Sequence, residues 1–165
     1  MGKKVAYAGM MIALAFVFGY IENVAIRDVF IPGIKIGLAN IVVIVALWKF
    51  GNKMAFTVSI IRVVLSGATY GNAYSFVYSV SGGMCALILM IVLKKYTNFS
   101  VKGVSVAGAV AHNVAQLLVA VILLGNKWLF VSYLPLLLIS GVIMGLVTGV
   151  IGTAVMKRMI FSERL

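Results

Sequence analysis

The chain has 165 residues, 64% of them hydrophobic and only 10% charged, with a formal net charge of +11 and a mean hydropathy of +1.18. A soluble domain carries about a quarter of its residues charged, and a soluble fold of this composition would expose apolar patches that soluble monomers avoid. The composition therefore points to an all-α polytopic membrane protein, a six-helix transmembrane bundle formed as one domain over residues 1–165, with no soluble domain left over.

Six apolar segments follow one another, at about 5–21, 36–50, 54–70, 73–93, 103–124 and 133–156. The start, "MGKKVAYAGMMIALAF", has the outline of a signal peptide. Its apolar run continues to about Ile21 and five further segments follow, so it reads as the first membrane helix. Gly9/Ala13 and Ala15/Gly19 are small-xxx-small pairs, the pattern that lets membrane helices approach closely. Gly9 and Ala13 are the candidate face for docking a separate membrane protein.

Between the first two spans lies "IPGIKIGLAN", residues 31–40. Pro32 stops a helix, and Gly33 and Gly37 let backbone approach closely. The span that follows, at about 15 residues, falls short of the ~17 needed to cross the hydrocarbon. It reaches across only if the preceding segment is itself inserted, and irregular backbone at that depth must be buried in protein or line a wet cavity. The stretch reads as the lid and upper wall of an outward-facing site, with Lys35 and Asn40 pointing inward.

Arg62, in "VSIIRVVLSGA", sits mid-span in the third segment. A guanidinium near the bilayer centre costs ~2.5–3.5 kcal/mol even on the lenient insertion scale, so such residues face the bundle interior and hold a partner or a ligand. A purely structural role, on helix-end carbonyls or paired with Glu22, is nearly as well supported. Tyr70 at the end of the third segment and Tyr74 and Tyr78 in the fourth read as an interfacial aromatic belt rather than a stacking wall. In the fourth segment Gly82-Gly83 break up the apolar run and read as a close helix contact, and Cys85 reads as a buried structural thiol. In the fifth, "AVAHNVAQLL" sets His112 and Gln116 one helical turn apart with Asn113 beside them. Interhelical hydrogen bonding alone explains such residues in many membrane helices, but three in one turn fit a pocket wall better. Gly141, Gly145 and Gly149 in the last segment form a double GxxxG, a signature of close helix packing.

Basic residues orient the bundle. Ten of the 14 fall on one side (Lys3, Lys4, Lys49, Lys53, Lys94, Lys95, Lys102, Lys157, Arg158, Arg164), and Arg27, Lys35 and Lys127 on the other. Short loops with this bias place both termini in the cytoplasm of a cell-membrane protein. Scattered in pairs between apolar segments, these charges suit topology and anionic lipid headgroups rather than nucleic acid. The similar strings "FGNKMAF" and "LGNKWLF" read as helix-ending turns rather than as an inverted repeat.

Glu22, Asn23, Lys35, Asn40, Arg62, His112, Asn113 and Gln116 make up the candidate substrate site. Its excess of positive charge favours a solute with a carboxylate, phosphate or diphosphate. Nothing points to an enzyme, a cofactor or a metal. The chain lacks a GxxxxGK[ST] loop and an HExxH motif, and one His with one Cys cannot assemble a zinc site. The only Asp, Asp28, lies at a different depth from His112, which excludes a Ser-His-Asp triad. A channel lacks its ring of acids or carbonyl-rich filter.

"IPGIKIGLANIVVIVALW", "IIRVVLSG", "SVSGGMCALILM" and "GVSVAGAVAHNVAQL" resemble the bacterial Gx transporter family, also labelled heptaprenyl diphosphate synthase component I. The resemblance runs in order from about Glu22 to Gln116. That family is similar in fold to the substrate-binding S components of energy-coupling factor transporters. The resemblance implies six helices, cytoplasmic termini, an outward pocket partly closed by the loop after the first helix, and a membrane coupling subunit and ATPases supplied by other chains. Residue by residue it points to Pro32, Gly33, Lys35, Gly37, Asn40, Arg62, Ser81, Gly82, His112, Asn113 and Gln116. Gly9 and Ala13 fit the implied docking face, though a strict Ala-x-x-x-Ala is not present there. The synthase label cannot describe a catalytic subunit. Chain-elongating prenyl synthases bridge Mg²⁺ with clustered carboxylates, and this chain has one Asp.

Two functions remain open. The first is the solute-binding membrane component of a transporter, for a small anionic or isoprenoid- or quinone-related solute. The second is a non-catalytic accessory subunit for prenyl-diphosphate or quinone metabolism, or for a membrane electron-transfer assembly.

Overall fold

A computed structural model describes residues 2–24, 36–69 and 72–159. Among these residues the regular secondary structure is all helical: α1 (Gly2–Val24), α2 (Leu38–Lys49), α3 (Asn52–Thr69), α4 (Ala73–Tyr96), α5 (Val101–Leu124) and α6 (Trp128–Arg158). Four of them, α1, α4, α5 and α6, are long and apolar enough to cross a membrane. The other two do not qualify, α2 falling short as expected of the second segment. α2 has 12 residues, about 18 Å at 1.5 Å per residue, and α3 has 18 with Arg62 inside.

Local chemistry sets the helix ends. Asn72 and Ser75 form a capping box at the start of α4, and the Ser100 side chain accepts the Gly103 N–H at the start of α5, each satisfying donors that a helix leaves open. Both Gly-Asn-Lys turns begin with a left-handed glycine, Gly51 at φ 90° and Gly125 at φ 63°, as the helix-ending reading expects.

Packing joins α1 to α3, α3 to α4, α4 to α5, α5 to α6, α6 to α2 and α2 to α1, closing a ring; α2 also packs on α3. Residues 41–47 of α2 are all buried. A helix apolar around its whole circumference belongs inside a bundle. Tyr7 of α1 contacts Phe50, Lys94 of α4 reaches Leu47, and Trp48 shares a cleft with Met156 of α6. These contacts gather the lysine-rich helix ends at one end of the bundle, termed the basic end. Just inside it, every helix contributes to one apolar core that includes Met11, Leu47, Val58, Leu87, Val104 and Met156. Lipid is as apolar as leucine, so such a core is held by close packing rather than by exclusion of water.

Close packing is most severe between α5 and α6. A Cβ at Gly145 would lie 2.6 Å from Val106 Cα, and one at Gly149 2.9 Å from Lys102 Cα. The GxxxG stripe is thus consumed within the bundle. Ser105 reinforces the contact, donating to the Gly145 carbonyl at 2.7 Å and lying 3.0 Å from the Thr148 hydroxyl.

Two expectations are corrected. Gly82-Gly83 do not break the fourth helix, because α4 runs through them from Ala73 to Tyr96. Their missing side chains serve close approach by α3 and α5, in keeping with their reading as a helix contact, while the intrahelical ladder continues. Cys85 is exposed rather than buried. An apolar run in a membrane helix includes residues that face lipid, so apolar neighbours do not imply an interior position.

Candidate functional site

The short helix α2 begins inside the bundle. Its N-cap, Gly37, has φ 81° and no side chain with which to cap. A Cβ there would meet Thr148 of α6 at 3.6 Å. Glu22 of α1 supplies the missing cap. Its carboxylate accepts the N–H of Gly37 at 2.6 Å and of Leu38 at 3.1 Å, and the residue is 8% exposed. A carboxylate at a helix N-terminus satisfies open donors and opposes the positive end of the helix dipole.

One turn into α2, the Asn40 side-chain oxygen accepts a hydrogen bond from Arg62 Nη2 at 3.1 Å. The guanidinium also lies against α4, where a Cβ at Gly83 would be 3.8 Å from both Arg62 Nη2 and Ser59 Oγ. On the neighbouring face of α4, a Cβ at Gly82 would come within 2.9 Å of the His112 ring and of Gln116 Cγ. Two consecutive glycines thus form a thin wall, with Arg62 of α3 on one side and the His112–Gln116 face of α5 on the other. Arg62 Nε and His112 Nδ1 are both shielded from solvent. Gln116 extends along α4 and donates to the Tyr78 carbonyl at 3.3 Å.

The remaining expected site residues fall elsewhere. Asn113 turns to α6, donating to the Leu137 carbonyl at 2.8 Å and approaching Ser140 Oγ at 3.4 Å, and it packs over Gly141. Its contacts join helices. Asn23 donates to the Gly19 carbonyl of its own helix at 2.9 Å. Lys35, Pro32 and Gly33, the core of the expected lid, lie outside the described residues, as does Tyr70. Gly9 and Ala13 are exposed on α1, with nothing within 4 Å of a Cβ at Gly9.

The structure therefore brings together Glu22 with Gly37, Asn40 with Arg62, and His112 with Gln116, each pair or contact resting on α2 or on the Gly82-Gly83 wall. Ser59 and Thr148 join this level without having been expected. Ser59 was legible in principle, since it lies three residues before Arg62 and hence on the same face of α3. Chemically this level offers a guanidinium on one side of the Gly82-Gly83 wall and an imidazole on the other, and a guanidinium suits an oxyanion; the α2 N-terminus already holds the Glu22 carboxylate. The only described carboxylate, Glu22, is engaged as a cap.

Comparison with known proteins yields one assignment. Residues 11–155 match the model of the family described as heptaprenyl diphosphate synthase component I. No curated protein and no solved structure matches the chain.

Proposed function

The chain belongs to the heptaprenyl diphosphate synthase component I family, and on that premise we propose that it is the membrane-embedded substrate-binding component of a transporter. It takes a small anionic or isoprenoid- or quinone-related solute from the outer side of the cell membrane, with both termini in the cytoplasm. Energy comes from a coupling subunit and ATPases on other chains. The bias of basic residues toward one end supports this orientation.

One observation carries the reading: polar side chains from α1, α2, α3 and α5 line the half-buried start of α2 and the Gly82-Gly83 wall, above an apolar core built by all six helices. Helices that begin inside the bilayer, with polar groups beside their N-termini, are the usual construction of a transporter's substrate site. Such a site is closed toward the basic end and polar toward the other. An entering carboxylate or phosphate would take hydrogen bonds from Arg62, whose planar fork suits a bidentate oxyanion. The stretch expected as the lid, with Pro32, Gly33 and Gly37, would cover the site.

A second reading rests on the family description itself. A protein named as a synthase component is a candidate accessory subunit, holding a prenyl diphosphate for a soluble partner.

Calorimetric titration of the detergent-purified chain with geranyl diphosphate and with geraniol, together with affinity purification from membranes, tests both. Binding of an anionic solute with co-purifying ATPases and a coupling subunit supports transport. A retained prenyl synthase supports the accessory role. A chain that binds neither solute and retains no partner would overturn both.

A further inference from the structure

At the basic end, α2 and α6 leave an open cleft of about 470 Å³ lined by Trp48, Lys49, Thr153, Met156, Lys157 and Met159. Its lining is divided by chemistry. Trp48, Met156 and Met159 give an apolar floor, while Lys49 and Lys157 are exposed, each in the last turn of its helix. The Thr153 hydroxyl is committed to the Gly149 carbonyl at 2.7 Å. A third lysine, Lys94, stands over the Trp48 ring at 5.3 Å and donates to the Leu47 carbonyl. Among the described residues the only carboxylate is Glu22, which caps the far end of α2. No described acid therefore neutralises the cleft.

A free anion has no use for the methionine and indole floor, and an uncharged lipid leaves the two ammonium groups unmatched. An amphipath with a negatively charged head satisfies both halves. We propose that this cleft is a binding site for the phosphate head of an anionic lipid in the adjoining leaflet. Lys49 and Lys157 hold the phosphate, and Trp48, Met156 and Met159 pack along the glycerol and first methylenes. The site is separate from the Arg62–His112 cluster and stands whether or not the chain transports a solute.

The two tryptophans, Trp48 and Trp128, permit a direct test. A Trp128→Phe variant leaves Trp48 as the single reporter, reconstituted in phosphatidylcholine vesicles with increasing brominated phosphatidylglycerol or brominated phosphatidylcholine. Quenching by the brominated anionic lipid is expected at a clearly lower mole fraction, and equal quenching by both lipids overturns the proposal. Adding Lys49→Gln and Lys157→Gln should raise the half-quenching fraction by roughly fivefold per lysine, the contribution of one basic residue near an anionic surface. Lys53→Gln with Lys95→Gln, exposed lysines outside the cleft, should leave it unchanged. An equal effect of that control pair would assign the selectivity to diffuse surface charge and overturn the site. Should the double variant not fold, the single variants carry the same test. A Trp48 emission change on adding inorganic phosphate in pure phosphatidylcholine, absent from the lysine variants, would assign the cleft to a free anion and overturn the lipid.

Discussion

The Glu22 carboxylate accepts the Gly37 backbone N–H at 2.6 Å, so one helix caps the next from 15 residues away in sequence. At the other end of the same helix, Lys94 donates to the Leu47 carbonyl at 2.6 Å. A short buried helix thus has its positive end met by an anion from α1 and its negative end by a cation from α4, each favourable toward the dipole.

Removing the first of these contacts should destabilise the fold. Glu22→Ala is expected to cost about 1–2 kcal/mol, the usual loss for a helix cap, or roughly 2–8 °C in Tm for a chain of this size. Glu22→Gln keeps an acceptor and should cost less. Thermal unfolding in detergent, followed by circular dichroism, measures both; an Ala variant as stable as wild type would remove the cap from the account of α2.

Lys94→Met should cost about 0.5–1.5 kcal/mol for the lost hydrogen bond. The two contacts sit at opposite ends of a helix about 18 Å long, so the Glu22→Ala/Lys94→Met double variant should be additive within ~0.5 kcal/mol. A large coupling energy in that cycle would mean that the two ends of α2 do not act independently.

The glycines divide sharply. Gly145→Ala sets a Cβ against Val106 backbone at 2.6 Å, which cannot move aside locally, and overpacking of this kind costs about 1–3 kcal/mol. Gly108→Ala meets only the flexible Met90 side chain and should cost less. Gly9→Ala meets nothing within 4 Å and should leave Tm unchanged or raise it, since alanine favours a helix over glycine. Equal Tm values for Gly145→Ala and Gly9→Ala would contradict the α5–α6 packing described above.

Much of this was legible in the sequence. Apolar run lengths predict six helices, and the shortfall of the second span predicts a short helix, which the 12 residues of α2 are. Arg62 and Asn40 stand out because polar side chains are costly among apolar neighbours, and they meet. Direction was harder to read. Asn113 is one residue from His112, and that step of about 100° turns it onto α6. Lys94 resembles an ordinary topology charge, yet it terminates α2. Gly82-Gly83 resemble a break because glycine weakens an isolated helix; their small size marks a helix contact, but which helices arrive, α3 and α5, shows only in the fold. Such facts depend on which helices are neighbours, and local patterns do not encode that.

The most direct measurement of the proposed function is native mass spectrometry of the wild-type chain and an Arg62→Ala variant, purified side by side from membranes. A small anionic adduct held by the wild type and missing from a variant that still unfolds cooperatively is the expected result. An adduct retained equally by both proteins, or none on the wild type, would contradict a binding site built around Arg62.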